Sequence, residues 1–269
     1  MSDPTSLAAE RSHQPADGYF DLMGEIARRH WWYRARRELV AEQLAGRVPH
    51  GATALDVGTG TGESLAVLRG AGAGVVAGTD LSLHALRIAH RHGTGPSGGV
   101  LASYAEQLPF ADDAFACLIS TDVVEHLDDD VLALREYARV VAPGGTVLLT
   151  VPAYSFVWSE HDERAAHRRR YTATAIADSA LAAGLEVERT THLFSFLLPP
   201  AVLLRCTPLR RLVTVTDDEV SEAHPVVSAV MDRLGALERA IIRRGRVPVG
   251  LSIMVVARVP QTGRAVAAA

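Results

Sequence analysis

At 269 residues the chain can hold one large domain, or a core domain with a cap. A net charge of −4 argues against the basic surface that a non-specific grip on nucleic acid needs, and no nucleic-acid partner is expected. Two cysteines, Cys117 and Cys206, make neither a disulfide framework nor a metal motif. Residues 1–18 are polar, carry no hydrophobic leader, and are expected to form a disordered tail on a cytoplasmic protein. A helix is predicted over 19–45, with Leu22, Ile26, Leu39, Val40 and Leu44 on one side and Arg and Glu on the other. Residues 19–48 are read as an N-terminal helical lid.

Strands and helices alternate from Thr53 to Val151, the pattern of a parallel sheet covered on both faces. Leu55, Asp56 and Val57 run as a buried strand into Gly58-Thr59-Gly60-Thr61-Gly62, and Glu63 opens the helix behind it. The glycines let backbone approach a ligand where a Cβ would clash. The next apolar run ends at Asp80, followed by Leu81. A carboxylate at that strand end can accept hydrogen bonds from both hydroxyls of a ribose, so a nucleoside site is the leading reading. The dinucleotide spacing G-x-G-x-x-G fails, because position 63 holds Glu63.

This loop resembles the first motif of class I S-adenosylmethionine-dependent methyltransferases, in the bacterial small-molecule branch. The resemblance continues in order through Ala105-Glu106-Gln107-Leu108-Pro109-Phe110, the strand ending at Thr121-Asp122, Glu125-His126, and Pro143-Gly144-Gly145 before the next strand. It is good over about 50–155 and looser in the flanks. It implies a Rossmann-like, doubly wound sheet of seven strands, mostly parallel with the last antiparallel. It also implies S-adenosylmethionine as cofactor. Asp56 would support the loop and the amino-acid end of that cofactor, with Gly58, Thr59, Gly60 and Gly62 close by. Asp80 and Leu81 would lie at the ribose, Ala105 and Glu106 at the adenine, and Thr121 beside the methyl group. Tyr104 stands where relatives have Asp, which points to stacking on the adenine.

Farther on, Val131, Leu134, Tyr137 and Val141 recur at helical spacing, and Pro143-Gly144-Gly145 is expected to stop that helix. The loop after the fifth strand carries Tyr154, Phe156, Trp158, His161, Asp162, His167 and Tyr171. Loops at the carboxyl ends of strands form the mouth of an open α/β sheet. Tyr154, Trp158 and Tyr171 are read as acceptor-binding, with His161, Asp162 and His126 as catalytic candidates. An imidazole titrates near neutrality and suits removal of a hydroxyl proton. The competing readings are that His161 pins the loop and that His126 only packs beside the cofactor. The spacing of His161, Asp162 and His167 matches no strong metal motif, and no metal is expected. Arg168, Arg169 and Arg170 read as a solvated face.

In the N-terminal segment, His30-Trp31-Trp32-Tyr33 resembles the same bacterial branch. Trp31 and Tyr33 are read as a wall of the acceptor pocket, against the alternative of plain core packing. Thr172 is expected to cap a helix ending near Gly184, followed by a strand over 185–194. Residues 195–247 read as a helical insertion, 249–259 as the last strand, and 260–269 as a tail. The apolar run Leu193 to Leu204 is too short to span a bilayer. Burial against the sheet is favoured for it over a membrane surface contact near Arg205, Arg210 and Arg211. The expected function is methyl transfer to a small molecule, at oxygen of a sugar or secondary metabolite, by a monomer or homodimer with its domain over 49–259. The alternatives are a non-methylating enzyme on this fold, such as a cyclase or decarboxylase, and a non-catalytic partner subunit.

Overall fold

The computed structural model describes residues 24–92, 98–206 and 225–261. The expectations for residues 1–18 and for Arg210 and Arg211, and most of the expected tail, lie outside these. Seven strands form the central sheet: β1 (Thr53–Val57), β2 (Val75–Asp80), β3 (Gly98–Ala102), β4 (Phe115–Thr121), β5 (Val141–Pro152), β6 (Glu186–Leu193) and β7 (Ser252–Arg258). Their order is β3-β2-β1-β4-β5-β7-β6. β7 is antiparallel to both of its neighbours, and the remaining pairs are parallel. This is the mixed, doubly wound sheet that the sequence implies. The chain builds outward from β1 to β3 and then returns to place β4 on the other side of β1. The strand order therefore reverses between β1 and β4, where open α/β sheets bind ligands at the carboxyl ends.

Helices α1 (Trp31–Leu44), α2 (Leu65–Gly70), α3 (Leu83–His92), α4 (Asp130–Val140), α5 (Glu160–Arg164), α6 (Ala173–Ala182), α7 (Leu198–Cys206) and α8 (Pro225–Arg244) accompany the sheet, with a further helical stretch over 24–29 and three short 3-10 turns. Period-two alternation divides the core between the two faces of the sheet. Along β7, Ile253, Val255 and Ala257 join Leu118, Leu149, Tyr137 and Ile176, under α4 and α6. Met254 and Val256 join Ile119, Leu148, Leu39, Leu65 and Ile242, under α1, α2 and α8.

Four expectations need correction. The N-terminal helix is interrupted at His30, whose backbone is extended (φ −67°, ψ 134°) and whose side chain caps Trp32 N at 3.3 Å. Histidine is not a usual cap, so local pattern gives no sign of the break. The helix before β5 ends at Val140, and β5 begins at once and runs through Pro143-Gly144-Gly145. Trp31 is 8% exposed and sits in the core with its ring 6.2 Å from Phe194, not on a pocket wall. The run from Leu193 is split: Leu193 and Phe194 are fully buried, but α7 has no buried residue and Leu203 is 52% exposed. Pro199 and Pro200 lie in the first turn of α7, where the missing N–H does no harm.

The stretch after β6 is fastened to α8 by one carboxylate. Glu238 is buried and accepts from Phe194 N and Ser195 N, both at 2.7 Å, and from the Ser195 hydroxyl at 2.6 Å. Phe194 itself is left-handed (φ 59°), and Trp32 stacks on its ring at 3.7 Å. Glu238→Ala leaves two amide donors without partners and is expected to cost about 2–4 kcal/mol. Urea unfolding checks this, with a lowered midpoint as the expected result and an unchanged one as the contrary.

Candidate cofactor and acceptor site

The loop after β1 is fixed by its neighbour strand. Gly58 N and Thr59 N both donate to Thr79 O at 2.8 Å. Asp80 then braces the loop from the end of β2: Oδ2 accepts from Gly60 N and Oδ1 from Ser82 N, each at 2.8 Å. A carboxylate oxygen can accept more than one hydrogen bond, so these contacts aim Asp80 without exhausting it. Burial raises the pKa of Asp80, against the backbone N–H groups of Ser82, Gly60 and Leu81, which lower it. The glycines differ in purpose. Gly60 has φ +53° and open space where a Cβ would stand, whereas a Cβ on Gly62 would lie 2.9 Å from that of Ala89 in α3. Gly62 thus serves helix packing, and Gly60 leaves room for a ligand.

Asp56 lies under this loop with no exposure. Its Oδ2 accepts from the Thr59 hydroxyl at 2.7 Å, while its buried Oδ1 has no partner. Burial pushes its carboxyl up to about 7; Thr59 opposes the shift and Asp80 adds to it. Beyond the loop, Leu81 is 44% exposed and Ala105 is 7% exposed. Glu106 and Thr121 are half-buried.

Next to it, at the ends of β4 and β5, two non-glycine residues are held left-handed, Asp122 (φ 55°) and Tyr154 (φ 60°). Each such conformation costs on the order of 1–3 kcal/mol and persists only where its surroundings impose it. Asp122 Oδ1 accepts from the Thr150 hydroxyl at 2.9 Å, and its carboxylate pairs with Arg36 of α1. Tyr154 shares a 2.9 Å hydrogen bond with His192 Nε2 and stacks on Phe156, with ring centres 5.2 Å apart. Sequence pattern singled out neither Arg36 nor His192, because both reach the mouth from distant elements.

Asp162 organises the loop after β5. It is fully buried, and its carboxylate accepts from Ser159 N at 2.8 Å and from Arg170 Nε at 2.6 Å. It also bonds His167 Nδ1 at 2.8 Å. Burial alone would raise its pKa, but His167 and Arg170 overcome that and hold the carboxyl well below the usual range. With its oxygens engaged inside the protein, Asp162 is an orienting group and not a proton acceptor for substrate. Arg170 is correspondingly buried, and Arg169 donates to Leu127 O at 2.9 Å and Asp128 O at 2.8 Å. Both arginines fasten the loop; Arg170 does so from inside and is no part of a solvated face, while Arg169 stays partly exposed. Tyr171 needs a similar correction: it is buried, with its hydroxyl donating to Asp130 Oδ2 at 2.9 Å, and it cannot meet an acceptor.

Trp158, Tyr33 and His161 are half-buried. Arg36 lies over the Tyr33 ring, 5.3 Å from its centre, and His161 lies 5.9 Å from His167, centre to centre. His126 stands 4.9 Å from His167, with Nδ1 3.3 Å from Ala166 O. Burial lowers its pKa, and His167 lowers it further. Beside it, Glu125 is fully buried and neither carboxylate oxygen has a hydrogen-bond partner. Burial, then Asp122, push that carboxyl well above its ordinary range.

A glycine loop braced by Asp80 at the β1/β4 reversal, beside a loop of histidines and aromatics, gives the chain the architecture of a ligand-binding α/β protein. Comparison with known proteins narrows this. Residues 55–149 match the methyltransferase domain family. A demethylmenaquinone methyltransferase of Corynebacterium kroppenstedtii is 36% identical over 140 residues, 50% of this chain and 56% of that protein. A protein of Mycolicibacterium smegmatis classed among S-adenosylmethionine-dependent methyltransferases is 28% identical over 196 residues, 72% of this chain and 73% of that one. Among solved structures, a Haloferax volcanii chain determined in complex with the Trm112 methyltransferase activator superposes with a TM-score of 0.62. It is 22% identical, and the match covers 92% of this chain and 97% of that one. The chain spans about half the length of most of the curated relatives it matches. Over residues 55–149 the chain carries a methyltransferase domain, similar to those of S-adenosylmethionine-dependent enzymes.

The residues present fit that cofactor. The unpartnered Asp56 oxygen suits the cationic amino-acid end, Asp80 suits the ribose diol, and the open face of Gly60 gives the ligand room.

The raised pKa of Asp56 has a consequence for stability. Unfolded, its pKa is about 3.9; folded, about 7. The folded protein therefore keeps a proton that the unfolded chain loses, and this contribution to stability declines as pH rises from about 4 to about 7. Asp56→Asn removes that decline. Urea unfolding across this range should show the mutant gaining on the parent until near pH 7 and running parallel above it, whereas a constant difference would contradict the assignment.

Proposed function

We propose that this protein transfers the methyl group of S-adenosylmethionine to an oxygen of a small-molecule acceptor, a sugar or secondary metabolite. The reading is carried by one juxtaposition: the Asp56–Gly60–Asp80 cradle opens on the ends of β4 and β5, where strained Asp122 and Tyr154 stand beside a histidine cluster. Held by Asp56, Gly60 and Asp80, S-adenosylmethionine would supply an activated methyl group to an acceptor oxygen, the electron pair of the broken carbon–sulfur bond staying with S-adenosylhomocysteine as leaving group. The hydroxyl proton passes to an imidazole. His161, next to His167, is the acceptor for that proton in this reading, and His126 is the second candidate. Holding the reactants in line and away from water supplies much of the rate.

Tyr154, Phe156 and Trp158 form the acceptor wall, with Phe156 59% exposed and available to a flat or apolar ligand. The described part of the N-terminal segment, 24–48, acts as a lid, which the Arg36–Asp122 ion pair ties to the mouth. Helix α7, at the start of the expected insertion, borders the same opening through the bond from Arg205 to Val157 O at 3.1 Å. Among the described residues no helix is long and apolar enough to cross a membrane. A small-molecule acceptor also agrees with the chain's net charge of −4.

A carbon acceptor is the second reading. It is favoured by the name of the Corynebacterium relative and by the stacked Tyr154–Phe156 pair, which offers a flat face to a ring. Mass and NMR analysis of a methylated product separates oxygen from carbon. Release of S-adenosylhomocysteine in step with product separates both from a cyclase or decarboxylase, and from a non-catalytic partner subunit.

Asp80→Ala removes the ribose contact, charge-assisted and worth about 2–3 kcal/mol. Calorimetric titration should show S-adenosylmethionine binding at least tenfold more weakly, with the circular dichroism spectrum unchanged. Equal affinity in mutant and parent would overturn the assignment.

A further inference from the structure

Glu125 poses a problem that methyl transfer does not solve. Its side chain is fully buried, both carboxylate oxygens lack a hydrogen-bond partner, and burying an unpaired carboxylate is costly. Asp122, Arg36 and Arg170 lie near enough to act on its charge, and a pair of imidazoles stands beside it. One oxygen of Glu125 and one nitrogen each from His126 and His167 lie within 4.8 Å of one another, and His167 Nε2 stands 3.9 Å from Glu125 Oε1.

We propose that Glu125, His126 and His167 hold a divalent first-row transition ion of the zinc class, beside the methyl-transfer mouth. Two imidazoles and one carboxylate are a known ligand set for such ions, and they disfavour magnesium and calcium, which take oxygen ligands. The outer contacts are those a metal site needs. His167 Nδ1 is held by Asp162 at 2.8 Å, which leaves Nε2 to face the ion. Ala166 O, 3.3 Å from His126 Nδ1, does the same for the second ring. Such partners fix the tautomer and orientation of a ligating histidine.

The backbone brings the three together by design of the fold. Arg168 N donates to Glu125 O at 2.9 Å, and left-handed Ala166 (φ 56°) turns the chain so that His167 follows it into the cluster. Tetrahedral ligation at about 2.0–2.1 Å places donor atoms about 3.4 Å apart, so small rotations of the side chains would close the shell. Three protein ligands leave a fourth position open, and both imidazoles are partly exposed, which gives the ion a path. The fourth position suits an acceptor oxygen, whose proton His161 is then placed to take. That last role rests on the methyl-transfer reading; the ion site does not.

The test uses the full chain, stripped with a chelator and titrated with Zn²⁺ by calorimetry and with Co²⁺ by visible absorption. One ion per chain is expected, with Co²⁺ bands of a nitrogen–oxygen site of low coordination number. Glu125→Gln and His167→Ala should each weaken binding at least tenfold, while His50→Ala, which changes an exposed histidine elsewhere, should not. No stoichiometric binding, or binding indifferent to both site variants, overturns the proposal. Circular dichroism on the same samples shows that each variant is folded, and S-adenosylmethionine affinity is measured beside it. A chain that binds the ion but not S-adenosylmethionine would refute the methyl-transfer reading and leave the ion site standing.

Discussion

The buried carboxylate of Asp162 is the contact on which the loop after β5 depends. It ties Ser159, His167 and Arg170 to one point, and so gives shape to a stretch that has only one short helix of its own. Without it, a loop of that length at the mouth of a sheet would pay a large conformational entropy to stay in one arrangement. With it, the loop presents His167 toward Glu125 and His126, and Arg169 toward the turn after β4. Two sequence-distant loops become one rigid rim.

The cofactor side is built on a different principle. There the backbone does the work: amides of the β1 loop are satisfied by Thr79 O and Asp80, so the loop is formed whether or not a ligand is bound. A preformed cradle avoids the ordering cost at binding. Asp56 departs from this economy. Its carboxyl sits in a place that disfavours charge, with one oxygen unanswered, and a cationic group arriving there would relieve it.

This division explains what could be read from sequence. The strand, glycine loop, helix and strand-terminal acid follow one another locally, and alternation along each strand marks both faces of the sheet. The rim was legible only as a collection of residue types. Asp162 and His161 stood out, but nothing local says that Asp162 spends its oxygens on Arg170 and His167. Tyr171 has the look of a pocket aromatic until its hydroxyl is seen on Asp130. Glu125 and His126 were visible as a pair, yet their convergence with His167 is made by long-range backbone bonds that leave no periodic trace. Trp31 and Trp32 illustrate the same limit, since the helix break at His30 decides which ring enters the core.

The two cysteines turn the rim into something that can be timed. Cys117 is buried in β4, and burial pushes its thiol up to about 12, so it is inert to alkylating reagents in the folded state. Cys206 is exposed at the end of α7, where its thiol donates to Phe156 O at 3.1 Å. One thiol is therefore a silent internal reference, and the other is open to reagent. The rate at which Cys206 is labelled reports how far a ligand lying on Phe156 covers that surface, with no engineered probe in the chain.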